Sequence, residues 1–131
     1  MKKLIDQNDL NEFRARFNTC YDSVLLGFSC QTPAGMENTS CTVELRCMDY
    51  ESDSGWCNLT LKFNEVTAWR FAMDVKTIYF IISDGMHIRL DEGLIYVDMG
   101  YYSDPVENIS EYFDSEFFFV TKDFEWESVA I

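Results

Sequence analysis

Histidine is almost missing from this chain: His87 is the only one. The five cysteines, Cys20, Cys30, Cys41, Cys47 and Cys57, form no C-x-x-C pair. Zinc sites need such ligands clustered, so no metal site is expected. A Cys–His or Ser–His pair would have to use His87, and no nucleophile elbow or other local signature accompanies it. There is no glycine-rich phosphate loop, since most of the six glycines fall in turn-like stretches. The longest apolar runs, such as IYFII, are far too short to span a bilayer. MKK begins like a signal peptide, but LIDQNDLNEF puts acids where an apolar core belongs. The expectation is a cytoplasmic protein that is not an enzyme, needs no cofactor and associates with no membrane.

Basic residues are also scarce. The net charge is −13, and residues 91–131 hold eleven acids against the single base Lys122. Such a field opposes nucleic acid and favours a basic protein partner. Nearly half of the 131 residues are apolar and 16% are aromatic, which suffices for the core of one domain spanning 1–131.

Asp9 and Glu12 have capping-box spacing, and Leu10, Phe13, Phe17 and Tyr21 recur at helical intervals. This predicts an amphipathic helix over 9–20. A strand series follows: SVLLGFSCQ, CTVELRCM, WCNLTLKF, VTAWRFAM, TIYFIIS, MHIRL and LIYVDMG. Alternation puts Val43 and Leu45 inward with Cys41 and Cys47, and Leu59, Leu61 and Phe63 inward with Cys57. Thr42, Glu44, Arg46, Asn58, Thr60 and Lys62 point outward. The cysteines therefore read as small core residues, expected to be reduced. Trp56 is also expected in the core, which requires both faces of its strand to be covered, because it is out of phase with Leu59. His87 is out of phase with Met86, Ile88 and Leu90 and faces away from the core side.

Asp84-Gly85 is the stronger hairpin signal and Glu92-Gly93 the second. Between strands, TPAGMENTS reads as a loop. DYESDSG alternates acids like a calcium loop, but Ser54 and Thr60 stand where that motif needs Gly and Glu, so a hairpin turn is expected. Sequons at Asn38, Asn58 and Asn108 carry no weight without a secretory signal. Short strands with short turns imply antiparallel pairing. The fold class is α+β: an antiparallel β-meander, curled or two-layered, with an N-terminal helix and a short helix before the last strand.

The last third is the most acidic. Asp104-Pro105 reads as a helix start with Glu107 at N3, followed by an apolar stripe of Val106, Ile109, Tyr112 and Phe113. Asp104, Glu107, Glu111 and Asp114 would share another face. EFFFV reads as a strand covered on both sides. Beyond it, Phe124 and Trp126 alternate with Asp123, Glu125 and Glu127.

The block GWCNLTLKFNEVTAWRF carries a resemblance. With Phe13 and Phe17 on the helix, then Tyr21-Asp22-Ser23, and later Trp56, Leu59, Leu61, Phe63 and Val66, the chain resembles small bacterial β-rich proteins over residues 10–100. Several such families are grouped with immunity proteins of polymorphic toxin systems. Fold alone accounts for these core positions, and the resemblance implies no catalytic residue. The reading is an acidic binding protein, in the form of an immunity protein that occludes a cognate toxin. Its partner-binding candidates are Tyr101, Tyr102, Glu107, Glu111, Asp114, Asp123, Glu125 and Glu127. The alternatives are a small-ligand carrier with an aromatic-lined pocket, or a structural domain without catalytic activity.

Overall fold

The computed structural model describes residues 1–33, 38–72, 81–82, 84–100 and 108–131. Residues 34–37 of TPAGMENTS, most of TIYFIIS, the expected helix start at Asp104-Pro105, Val106, and the candidates Tyr101, Tyr102 and Glu107 lie outside them.

The chain runs β1 (Lys2–Leu4), α1 (Gln7–Arg16), a 3-10 turn (Asn18–Cys20), β2 (Ser23–Gln31), β3 (Ser40–Met48) and β4 (Trp56–Phe71). Then follow β5 (Ile81–Ile82), β6 (His87–Asp91), β7 (Leu94–Asp98), α2 (Ile109–Tyr112) and β8 (Phe117–Ala130). Among the described residues these strands form one antiparallel sheet in the order β5-β2-β3-β4-β8-β7-β6, with β1 also paired to β8. The sheet curls into a half-barrel. The meander holds only from β2 to β4; β8 then inserts between β4 and β7.

The curl follows from connectivity. β5 and β6 lie at opposite ends of the sheet, yet only residues 83–86 join them. Five peptide steps reach at most ~18 Å, so the two ends must approach each other. The 3-10 turn straddles the resulting seam: Met86 N donates to Thr19 O at 2.8 Å, and Asp22 N donates to Ile82 O at 2.9 Å. Asp84-Gly85 therefore belongs to a seam crossing and not to a hairpin. Glu92-Gly93 does form a hairpin, closed between Asp91 and Leu94. Its left-handed φ values of 49° and 78° are those of a type I′ turn.

Strand alternation places the core as expected. Cys41, Val43, Leu45, Cys47, Cys57, Leu59, Leu61 and Phe63 are all fully buried on the inner face. Inside, α1 lays Phe13 on Phe124 at 5.5 Å and Phe17 on Trp126 at 5.0 Å between ring centroids. Phe117 to Val120 are buried on both faces, as EFFFV predicts.

The helix boundaries differ from expectation. Asp6, not Asp9, caps α1: its side chain accepts from Asp9 N at 2.9 Å, while Asp9 Oδ2 accepts from Asp6 N at 3.3 Å. The helix ends at Arg16 because Asn18, Thr19 and Cys20 take left-handed φ of 50°, 52° and 58°. Near the other end of the chain, Asn108 is extended (φ −139°, ψ 164°), so no helix runs through it. Its side chain instead caps α2, which is only four residues long.

Arg16 ties α1 to the β3–β4 turn. Its guanidinium donates to both oxygens of Asp49, at 3.0 and 3.2 Å, and to Ser128 Oγ at 2.9 Å. It also pairs with Glu51 at 2.9 Å and lies over the rings of Phe17 and Trp126. Asp49 Oδ1 further accepts from Glu51 N at 2.9 Å. The first carboxylate of DYESDSG thus serves the turn and α1 rather than a cation. Burial opposes ionisation of Asp49, but the hydrogen bonds from Arg16 and Glu51 outweigh it and hold its pKa below the ordinary value.

Candidate functional site

Trp56 corrects the core assignment. It is 45% exposed. Its phase puts it on the outer face with Asn58, Thr60 and Lys62, and α1 covers only the inner one. The cross-strand register converts that outer face into rows. Met48 pairs with Trp56, whose carbonyl accepts from Ile131 N at 3.3 Å. The next row runs Val129, Asn58, Arg46, Val24 and Ile81 across β8, β4, β3, β2 and β5. Then come Glu127, Thr60, Glu44 and Gly27, and after them Lys3, Glu125, Lys62, Thr42 and Ser29.

The corner of this face at Trp56, Val129 and Ile131 is therefore apolar. Val129 is 65% exposed and Ile131 54%, with Val24 and Ile81 exposed along the same row. Val129 and Ile131 adjoin Trp56, while Asn58 and Arg46 separate them from Val24 and Ile81. A tryptophan exposed with two such neighbours differs from single surface apolar residues, which need no explanation. The two acids of the next row border this patch. The carboxylate of Glu44 lies over Gly27, where a Cβ would meet Oε2 at 3.1 Å. A side chain in place of Gly27 would displace it.

The sequence-predicted acids divide into two groups. Asp123, Glu125 and Glu127 do share the outer face of β8. They are not a bare anionic row: Asp123 pairs with Lys3 at 3.2 Å, and Glu125 stands between Lys3 and Lys62 in the register. Exposed pairs of this kind contribute little stability but do neutralise the local field. Glu111 and Asp114 lie elsewhere, in and just after α2, where Tyr112 meets the ring of Tyr96 and Phe113 that of Phe118. A four-residue helix offers no extended acidic face. Glu111 is instead engaged locally, its Oε1 accepting from Asn108 Nδ2 at 2.8 Å. Asp114 follows the helix, its N–H donating to Glu111 O at 3.1 Å; Asp104 and Glu107 lie outside the described residues.

The apolar end was the element that charge reasoning passed over. Its signal was present in the phase of Trp56, which matched the polar outward positions. Val129 and Ile131 gave no local signal, because they join Trp56 only through β4–β8 pairing. The aromatic residues inside the sheet meet ring to ring, as with Phe28 on Phe71 at 4.4 Å and Phe63 on Phe119 at 4.5 Å.

The chain matches no protein-family model, no curated protein and no solved structure. Its resemblance to immunity families thus rests on the quoted residues alone. Among the described residues, no helix is long and apolar enough to cross a membrane.

Proposed function

We propose that this chain is a non-enzymatic binding domain that docks a basic protein on the uncovered outer face of its sheet. In the form implied by the resemblance, the partner is a cognate toxin and docking occludes its working surface. The observation that carries the reading is Trp56, 45% exposed on a sheet face that no described element covers, with Val129 and Ile131 beside it. Tryptophan in such a setting supplies a large rigid anchor at low entropic cost. Charge supports the choice of partner. Glu127 and Glu44 rim the apolar end, and the net charge of −13 steers a basic protein towards it.

A photo-cross-linking residue at Val129, introduced in the organism that makes the protein, tests this. The expected product is one discrete adduct with a basic protein. Trp56→Ser in the same chain should abolish it while changing stability by less than about 1 kcal/mol, as for other exposed positions. The purified partner's toxicity should be relieved by the wild type and not by Trp56→Ser. An adduct with a second copy of this chain, a smear of many proteins, or an adduct that survives Trp56→Ser would overturn the reading.

A further inference from the structure

The β2–β3 register sets Cys30 directly opposite Cys41. Opposed residues of an antiparallel pair share one face, with Cα atoms about 4.5–5.5 Å apart. A disulfide spans about 4.4–6.8 Å between Cα atoms, so this pair can be bridged without moving either strand. The sulfurs are already in contact: the Cys41 S–H donates to Cys30 Sγ at 3.3 Å. A bond of about 2 Å needs only that the two side chains swing together.

The two thiols are not equivalent. Cys41 is fully buried on the inner face, opposite Phe63 on β4. Cys30 stands one residue from the end of β2 and is partly exposed. Burial, and then the hydrogen bond to Cys30, push the Cys41 thiol far above its usual range. Cys41 therefore keeps its proton and presents it to the Cys30 sulfur. The nucleophilic thiolate form falls to Cys30, the one sulfur of the pair that a reagent from solvent reaches. Cys47 and Cys57 form a second opposed pair, with sulfurs 3.7 Å apart, but both are fully buried. That pair has the proximity without the access.

We propose that Cys30 and Cys41 form a redox site, in which hydrogen peroxide oxidises Cys30 and Cys41 resolves the product to an intramolecular disulfide. The Cys30 thiolate attacks one peroxide oxygen and the O–O bond breaks. The departing hydroxide takes up the proton that Cys30 gave up and leaves as water, and Cys30 becomes a sulfenic acid. The Cys41 sulfur then attacks the Cys30 sulfur. The S–O bond breaks, and its hydroxide leaves as water with the Cys41 proton. Two thiols and one hydrogen peroxide thus give one disulfide and two waters, the sulfurs losing the two electrons that the peroxide gains. Because Cys30 keeps the bridge partly open to solvent, a dithiol reverses it by exchange. The pair lies on the inner face and does not rest on the docking reading.

The native protein is treated with a small excess of hydrogen peroxide, unfolded in an alkylating reagent and read by mass. The expected product has lost two hydrogens and carries three alkylated thiols of the five. Cleavage after Glu37, which lies between the two cysteines in sequence, should leave its fragments joined through Cys30 and Cys41. A dithiol should restore all five thiols. Cys30→Ser should keep its remaining four thiols free at the same dose. Cys41→Ala, with the fold verified by unchanged circular dichroism, should stop at the Cys30 sulfenic acid, trapped by dimedone. If Cys41→Ala does not fold, the wild type and Cys30→Ser decide. Cys30 left as a thiol, a wild type that passes to sulfinic acid, a bridge between two copies, or a Cys47–Cys57 bridge forming first would each overturn the proposal.

Discussion

Asp49 is almost fully buried, yet its contacts keep it charged. Removing Arg16 would leave that carboxylate without its main donor, which typically costs on the order of 3 kcal/mol. Arg16→Ala should lower the urea midpoint accordingly, and the loss should depend on pH. The folded pKa of Asp49 is depressed, so its contribution is whole above the ordinary value of 3.8 and disappears as pH falls through the lower folded value. The gap between wild type and variant should therefore narrow in acid. A gap constant across that range would assign the cost to lost packing on Phe17 and Trp126 instead. The cysteines allow a second test. Cys20, Cys41, Cys47 and Cys57 are fully buried, whereas Cys30 is partly exposed, its sulfur 3.3 Å from that of Cys41. Burial and then the Cys30 sulfur push the Cys41 thiol far above its usual range. The Cys20 thiol and burial do the same to Cys47. Since the thiolate is the reactive form, an alkylating reagent should modify Cys30 first in the native protein and the other four only after unfolding. Early modification of Cys47, read by peptide mass, would contradict the packing described.

Two glycines separate local from long-range demands on the elements. Gly93 sits in the β6–β7 turn at φ 78°, with nothing near the position of a Cβ. Gly93→Ala costs only the left-handed conformation, about 1 kcal/mol. Gly85 has a similar φ of 74°, but there a Cβ would stand 2.7 Å from Thr19 O, across the seam. Gly85→Ala should therefore cost more, on the order of 2–3 kcal/mol. Equal losses in chemical denaturation would mean that the seam yields freely. The same contrast explains what the sequence made legible. Alternation in CTVELRCM and WCNLTLKF located the inner and outer faces because strand phase is a local property. Glu92-Gly93 formed its hairpin because strands able to pair lie on both sides of it. Asp84-Gly85 carried the stronger turn signal, but β5 pairs with β2 and β6 with β7, a choice set by distant strands. The outer face of the sheet was half legible. Asp123, Glu125 and Glu127 were correctly aligned, but Lys3 and Lys62 reach Glu125 only by pairing across residues far apart in sequence. The pairing of Cys30 with Cys41 was not legible at all, since the two meet only through the β2–β3 register.

At the scale of the whole molecule, the charge of −13 acts with opposite signs on stability and on association. The folded chain confines 23 acids against 10 bases, so its mean self-interaction is repulsive. Against this stand exposed attractive pairs such as Lys2–Glu12 and Lys3–Asp123, both at 3.2 Å. Salt screens both, but such exposed pairs are each worth less than about 1 kcal/mol. The net repulsion involves many acids at once. Arg16–Asp49 is better shielded from salt because Asp49 is buried. Raising ionic strength from near zero, where the Debye length exceeds about 30 Å, to physiological salt, where it is about 8 Å, should thus raise the urea midpoint. The same change should slow association with a basic partner, because the field that destabilises the free protein is the one that steers the encounter. Trp56→Ser should leave both salt slopes intact and act on the dissociation rate, since it removes contact area and no charge. Glu44→Gln with Glu127→Gln should do the reverse, flattening the association slope while barely changing dissociation. A stability midpoint that falls with salt would mean that the ion pairs outweigh the repulsion. An association rate indifferent to salt would leave the acidity of this chain without a part in choosing its partner.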